Sequence, residues 1–195
     1  MHLLKIGVLL LCQQMAAQDI IQTTEGAKIT VVEGSIKVEP RNNRLTYQLP
    51  NSDKRNKIKF KALSSAMYKD HLIKTFLVEG RRKAFFILAD ADGKQLGVLP
   101  SKRSVSKGGF EVPYKRYEVV VINKDNVVSD YLVFTDVNNP ANISLRNQAA
   151  ELVQQQFNDC PILIERLKTF ENTDSKIENG QIVELLDNPY LISCK

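Results

Sequence analysis

One histidine is left to carry base chemistry in this chain. His2 falls in a stretch that reads as a leader, so His71, within Met67-Tyr68-Lys69-Asp70-His71, would have to serve any Ser–His–acid triad alone. No Gly-x-Ser-x-Gly elbow occurs to expose a nucleophilic serine, and His71 reads as a surface or turn residue. A zinc site needs three or four clustered His, Cys or acidic ligands, and one histidine with two cysteines suited to pairing cannot supply a standard one. Asp90-x-Asp92-Gly93 invites calcium, yet an EF-hand loop wants Gly at position six and Glu at twelve. Here Gly93 stands fourth and Ser101 twelfth, so the run reads as a hairpin turn. Glycosidase chemistry needs only two carboxylates at the right separation; 22 acidic residues neither exclude a pair nor select one. The sequence therefore nominates no catalytic residue, no metal ligand and no cofactor.

Cations are the remaining chemistry. Gly80-Arg81-Arg82-Lys83 forms a basic hairpin, and Ser101-Lys102-Arg103-Ser104-Val105-Ser106-Lys107-Gly108-Gly109 reads as a basic, flexible loop. Arg81, Arg82, Lys83, Lys102 and Arg103, on adjacent loops, could hold phosphate or sulfate groups of an envelope glycolipid or polysaccharide. The competing view is a polar surface kept soluble by charge. The net charge of +5 is uneven: +10 from Gln18 to Lys124 and −6 from Asp125 to Lys195, which suits an anionic partner for the first part, or two surfaces that attract each other. Lys107-Gly108-Gly109-Phe110-Glu111-Val112-Pro113-Tyr114 echoes the RNP1 motif, but Gly109 and Glu111 stand where base-stacking aromatics are required, so nucleic acid is not expected. Glycan platforms favour Trp, of which there is none; Tyr47, Tyr114 or Tyr117 would have to serve instead.

These groups need elements to position them. Lys5 precedes the apolar run Ile6-Gly7-Val8-Leu9-Leu10-Leu11-Cys12, and small residues end at Ala16-Ala17-Gln18, the pattern of a secretory signal over residues 1–17. The run is far shorter than a spanning helix requires. Leu9-Leu10-Leu11-Cys12 also resembles a lipoprotein box, which would anchor the chain through Cys12, but that box wants a small residue where Leu11 stands. Residues 18–137 read as a β-rich domain. Ile29–Val32 and Ile36–Val38 flank a bend at Gly34, Lys57–Leu63 alternates Lys with apolar residues, and Ile73–Glu79, Ala84–Ala89 and Gln95–Leu99 follow. Tyr117–Asn123 and Val127–Phe134 make the clearest hairpin. Seven or eight such strands predict an antiparallel roll, small barrel or sandwich.

After Asn138-Asn139-Pro140 the period changes to about 3.6. Residues 138–195 read as a helical segment of two to three helices, packed on the β domain or appended to it, and the whole as α+β. Leu145, Ala149, Leu152, Val153 and Phe157 share one face. Asp159-Cys160-Pro161 opens a second helix carrying Leu163, Ile164, Leu167 and Phe170, and a third covers Ile182–Asp187, stopping before Pro189. An antiparallel second and third helix would return the tail to the second helix's start and bring Cys194 near Cys160. An even pair in an exported chain is a disulfide candidate; two unpaired thiols is the alternative.

The leader ending in Ala-Gln-Asp, the Val78-Glu79-Gly80-Arg81-Arg82-Lys83-Ala84-Phe85-Phe86 hairpin and the Phe157-Asn158-Asp159-Cys160-Pro161-Ile162-Leu163 segment resemble exported β-rich proteins of Bacteroidota. The resemblance implies a β-rich body followed by a helical tail with an Asp-Cys-Pro element, outside the cytoplasm. It assigns no activity and carries over no functional residue.

Three functions are compatible with this pattern. The first is an exported, periplasmic or extracellular, non-catalytic binding or interaction module whose partner is anionic glycan or glycolipid, or another envelope protein. The second is a secreted carboxylate-dependent hydrolase, which would show two acids in a concave site with at least one raised pKa. The third is a structural subunit of an envelope complex, which would show a large apolar patch. Whichever holds, protein taken from its native host should start at Gln18 or within two residues of it. Intact-mass measurement checks this; a diacylglyceryl group on Cys12, or a retained leader, would refute it.

Overall fold

The computed structural model describes residues 19–69, 71–169 and 176–194. The expected leader, with His2, Cys12 and the start at Gln18, and Phe170 of the second helix lie outside the described residues.

The main sheet is built from β1 (Asp19–Thr23), β2 (Lys28–Val31), β6 (Leu63–Tyr68), β7 (His71–Val78), β8 (Arg81–Ala91), β9 (Lys94–Lys107), β10 (Phe110–Ile122) and β11 (Val128–Thr135), in the order β11-β10-β9-β8-β7-β6-β1-β2. Every one of these pairings is antiparallel. Between β2 and β6 the chain leaves to form a small sheet of β3 (Lys37–Glu39), β4 (Arg44–Gln48) and β5 (Arg55–Lys59). The alternating Lys57–Leu63 run is thus not one strand. A 3-10 turn at Phe60–Ala62 divides it, so that Ile58 faces the core from β5 and Leu63 from β6. Hairpin turns fall where polar residues and glycines tolerate positive φ: Asp92-Gly93 (39° and 84°) joins β8 to β9, and Gly108-Gly109 (59° and 84°) joins β9 to β10.

The main sheet curls until β11 touches β7, without closing into a barrel. Phe85, Ile87, Val120 and Ile122, from its concave face, are completely buried against Phe76 and Val78. Gly97 makes this possible, because a Cβ there would sit 2.8 Å from Val120 Cγ2 and 3.1 Å from Phe85 Cβ. The opposite face has two covers. Near β1, β6 and β7 it packs on the small sheet through Ile21, Leu45, Phe60, Leu63 and Ile73. Near β8–β11 it packs on three helices: α1 (Pro140–Gln156), α2 (Pro161–Thr169) and α3 (Gly180–Asp187).

Asn139 caps α1 by accepting from the Asn142 N–H at 2.9 Å, with Pro140 in the first turn. Ala149, Val153 and Phe157 meet Val119, Val121 and Phe134 of the sheet. Arg146 lies on the same buried face, with no exposed surface. Its guanidinium donates to the backbone carbonyls of Thr135 (2.8 Å), Val137 (3.1 Å) and Glu178 (2.8 Å) and to Asn138 Oδ1 (2.9 Å). One side chain thereby ties the end of β11 to the start of α3. The tail does not stop at the helices. β12 (Ile192–Cys194) adds to β8 in parallel along Ala89–Ala91, beyond Ile87, where the β7 pairing ends. Cys194 in β12 and Cys160, directly before α2, form the disulfide, with Cα atoms 5.0 Å apart. No helix among the described residues is long and apolar enough to cross a membrane.

Removing the Arg146 guanidinium, itself fully buried, would take a donor from four part-buried acceptors. Arg146→Ala is expected to cost at least about 3 kcal/mol in urea unfolding. Arg146→Lys should recover less than half, because one ammonium cannot reproduce a planar fork of donors. A loss below about 1 kcal/mol would show that water substitutes for the guanidinium.

Candidate functional site

β8 and β9 are paired only from Phe86↔Val98 to Ala91↔Lys94. Beyond that point they part: β8 runs back to Arg81 beside β7, while β9 continues with β10 alone. The small sheet fills the parting from one side, its Val38 touching the cores on both faces of the main sheet. What stays open is a cleft of about 490 Å³ bordered by Pro40, Phe60 and Leu99 and by the charged residues of four segments.

Five cations line it: Arg41, Arg81, Lys83, Arg103 and Arg116, against the acids Glu79 and Glu118. A second basin of about 460 Å³ shares Asn43, Phe60 and Arg81 with the first and adds Lys59, Lys61 and Arg82, with no acid in its lining. Together they make one basic groove along the edge of the small sheet. Of the residues the sequence singled out, Arg81, Lys83 and Arg103 line the first basin, and Arg81 and Arg82 the second. Lys102 is not in either lining; its carbonyl accepts from Arg41 Nη2 at 3.1 Å. Neither 81–83 nor 101–107 is a loop. Both are strand, and the turns are confined to Glu79-Gly80 and Gly108-Gly109.

Inside the cleft Glu118 is the hub. Its Oε2 accepts from Lys83 Nζ (2.7 Å) and Tyr131 OH (2.7 Å), and its Oε1 lies 3.3 Å from Arg116 Nη2. Lys83 also donates to Tyr131 OH at 2.9 Å. Burial alone would raise the Glu118 carboxyl, but the bonds from Lys83 and Tyr131 and the charges of Lys83 and Arg116 outweigh it and hold the pKa below the ordinary carboxylate value. Burial likewise works against the Lys83 ammonium, and the same bonds reverse it, so its pKa is raised. Lys83 and Arg116 are therefore committed to Glu118. Arg81 and Arg103 have no carboxylate partner among the described residues, and Arg41 makes only the one backbone contact.

Sequence reasoning missed Arg41, Arg116, Glu118, Lys59 and Lys61. The signal for Glu118 was present, as a lone acid at the head of Tyr117-Glu118-Val119-Val120-Val121. Arg41 carried none, being one of two arginines in a turn. His71 is half-buried between the rings of Tyr68 and Tyr190 (centroids 5.0 and 4.9 Å), with Nδ1 3.3 Å from the Pro189 carbonyl. Tyr47 and Tyr117 are buried, the latter donating to Asp187 at 2.8 Å, so neither offers a ring face to a sugar. Asp90 and Asp92 lie at the β8–β9 turn, and no group of three possible metal ligands occurs among the described residues.

The chain matches no protein-family model, no curated protein and no solved structure. The functional reading rests on the groove.

Because the folded-state pKa of Glu118 is depressed, its contribution to stability is full above the unfolded carboxylate value and is lost as pH falls through the folded one. Between neutrality and about pH 3 the wild type should therefore lose more melting temperature than Glu118→Gln does. Parallel melting curves for the two proteins over that range would remove Glu118 as the hub of the cleft.

Proposed function

We propose that this chain is an exported binding module whose groove holds an extended polyanion, a sulfated, phosphorylated or uronic polysaccharide of the cell envelope. One observation carries the reading: eight cations from the small sheet and its flanking turns, β8, β9 and β10 line a groove that holds, among the described residues, two acids, one of them already neutralised. Like charges gathered this way repel one another unless an anion joins them, and the parting of β8 and β9 gives such an anion a concave seat. Arg41, Arg81 and Arg103 would contact it directly with their planar forks, which suit sulfate, phosphate and carboxylate. Lys83 and Arg116, held by Glu118, would give the seat a fixed shape. Export is supported by the leader pattern, by the disulfide and by the resemblance to exported proteins of Bacteroidota.

Binding is favoured over hydrolysis by the state of Glu118, the carboxylate at the hub of the cleft. A glycosidase needs a carboxyl kept protonated to donate to the leaving oxygen. Glu118 is instead held ionised by two cations.

Retention of the protein on immobilised heparin, used as a sulfated polysaccharide probe, should fall steeply with salt. The triple variant Arg41→Gln/Arg81→Gln/Arg103→Gln is expected to elute at less than about half the wild-type salt concentration, as each lost contact is worth on the order of 1 kcal/mol. The control Lys28→Gln/Lys54→Gln/Lys124→Gln removes the same charge from exposed positions outside the groove. Equal elution of the two triple variants would reduce the effect to net charge and end the proposal.

A further inference from the structure

The β9–β10 hairpin outgrows the sheet. β8 leaves β9 after Val98, the pairing of β11 with β10 ends at Arg116, and Lys115 is held by Asp136, so Arg103–Lys107 and Phe110–Tyr114 pair only with each other. Residues directly opposite in this register share a face: Arg103 with Tyr114, Val105 with Val112, and Lys107 with Phe110. That face continues the concave one carrying Glu118. At its far end stand three exposed apolar side chains, Phe110 (77%), Val105 (53%) and Val112 (44%). Arg103 and Lys107 flank them, and Lys102 lies on the reverse face. Glu111 is the only acid between Ser101 and Arg116. Lys115 is engaged with Asp187, whereas Lys102, Arg103 and Lys107 have no carboxylate partner among the described residues.

An apolar tip ringed by cations on a ribbon two strands wide is too narrow to supply the roughly 800 Å² that each partner of a stable protein complex buries. Strand addition is also opposed on the β10 side. Lys115 directs its N–H outward, to Asp136 Oδ1 at 2.9 Å, so by the period of two Pro113 has its missing N–H on that same edge. A lipid interface asks for neither area nor edge hydrogen bonds. It takes a few apolar side chains at the headgroup–acyl boundary and rewards adjacent cations when the surface is anionic.

We propose that the β9–β10 ribbon docks the protein on an anionic phospholipid bilayer, with Phe110, Val105 and Val112 entering the interface and Lys102, Arg103 and Lys107 lying among the phosphates. Arg103 stands four residues from the tip, about 13 Å along the strand, at the level of the phosphates, so the groove it borders would open at the membrane surface. The inference goes beyond the polyanion reading and does not require it.

The absence of Trp from the chain makes the test direct. The exported protein, its N-terminus defined by intact mass, is prepared as Phe110→Trp and mixed with vesicles of 30% phosphatidylglycerol in phosphatidylcholine. The single Trp emission is expected to shift to the blue and to gain protection from acrylamide. Vesicles of phosphatidylcholine alone should leave it unchanged. In co-sedimentation, the variant Val105→Ser/Phe110→Ser/Val112→Ser should bind the anionic vesicles at least about tenfold more weakly than wild type at an unchanged melting temperature. Lys102→Gln/Arg103→Gln/Lys107→Gln should lose a similar factor. Arg81→Gln, outside the ribbon, should bind the vesicles like wild type while weakening on heparin, which separates the two proposals. An unshifted Trp, equal binding to neutral vesicles, or vesicle binding that survives the tip variant but fails with Arg81→Gln would each overturn the ribbon proposal.

Discussion

The parting of β8 from β9 is the constraint on which the rest of the molecule depends. Two strands of 11 and 14 residues could have paired throughout, yet they are joined over only five or six positions, with a bulge between Ile87 and Ala89. From there each strand follows its other neighbour. The curl of the sheet brings Phe85, Ile87, Val120 and Ile122 together beneath the parting, and Gly97 removes the side chain that would hold them apart. Above it the small sheet enters with Val38 and Pro40. A cleft is left because no third strand is there to fill it. Its walls are cationic because Arg81 and Lys83 on β8 and Arg103 and Arg116 on β9 and β10 alternate onto the same face.

The concentration of like charge is tolerated through one buried acid. Glu118 sits where three strands present Lys83, Arg116 and Tyr131, and its ionised state offsets the first two while leaving Arg41, Arg81 and Arg103 without a carboxylate partner among the described residues. The C-terminal layer is held by a separate set of interactions. Arg146 gathers backbone carbonyls from two segments, the disulfide joins the start of α2 to β12, and β12 occupies the edge of β8 that β7 vacates. The helices therefore brace β8 at its paired end while its other end borders the groove.

Much of the secondary structure was legible. Apolar runs bounded by turn signals marked β7, β8, β10 and β11, and the change of period after Pro140 marked α1. Asp92-Gly93 supplied a turn with the dihedrals those residues allow. Legibility failed where the partner surface changes along a strand. Lys57–Leu63 alternates smoothly although the chain passes from one sheet to another at Phe60, and Ser101–Lys107 lacks alternation because both of its faces meet water. Arg146 was invisible for the opposite reason. A charged residue on an apolar helix face signals burial only once its acceptors, which come from residues 135–138 and 178, are in place.

The sequence by itself determined the α+β class, the junction near residue 138, the two cysteines that pair, and the excess of positive charge in the first part of the chain. Those properties are carried by period, composition and local turn chemistry, and each can be read without knowing the register in which distant strands pair. Which cations share a site was decided only by the tertiary structure. Arg41, Arg81, Arg103 and Arg116 are spread over 76 positions of the chain, and they converge because a strand register, a bulge and a curled sheet place them on one rim. Register is set by long-range pairing, and a shift of one residue would turn every one of these side chains to the opposite face.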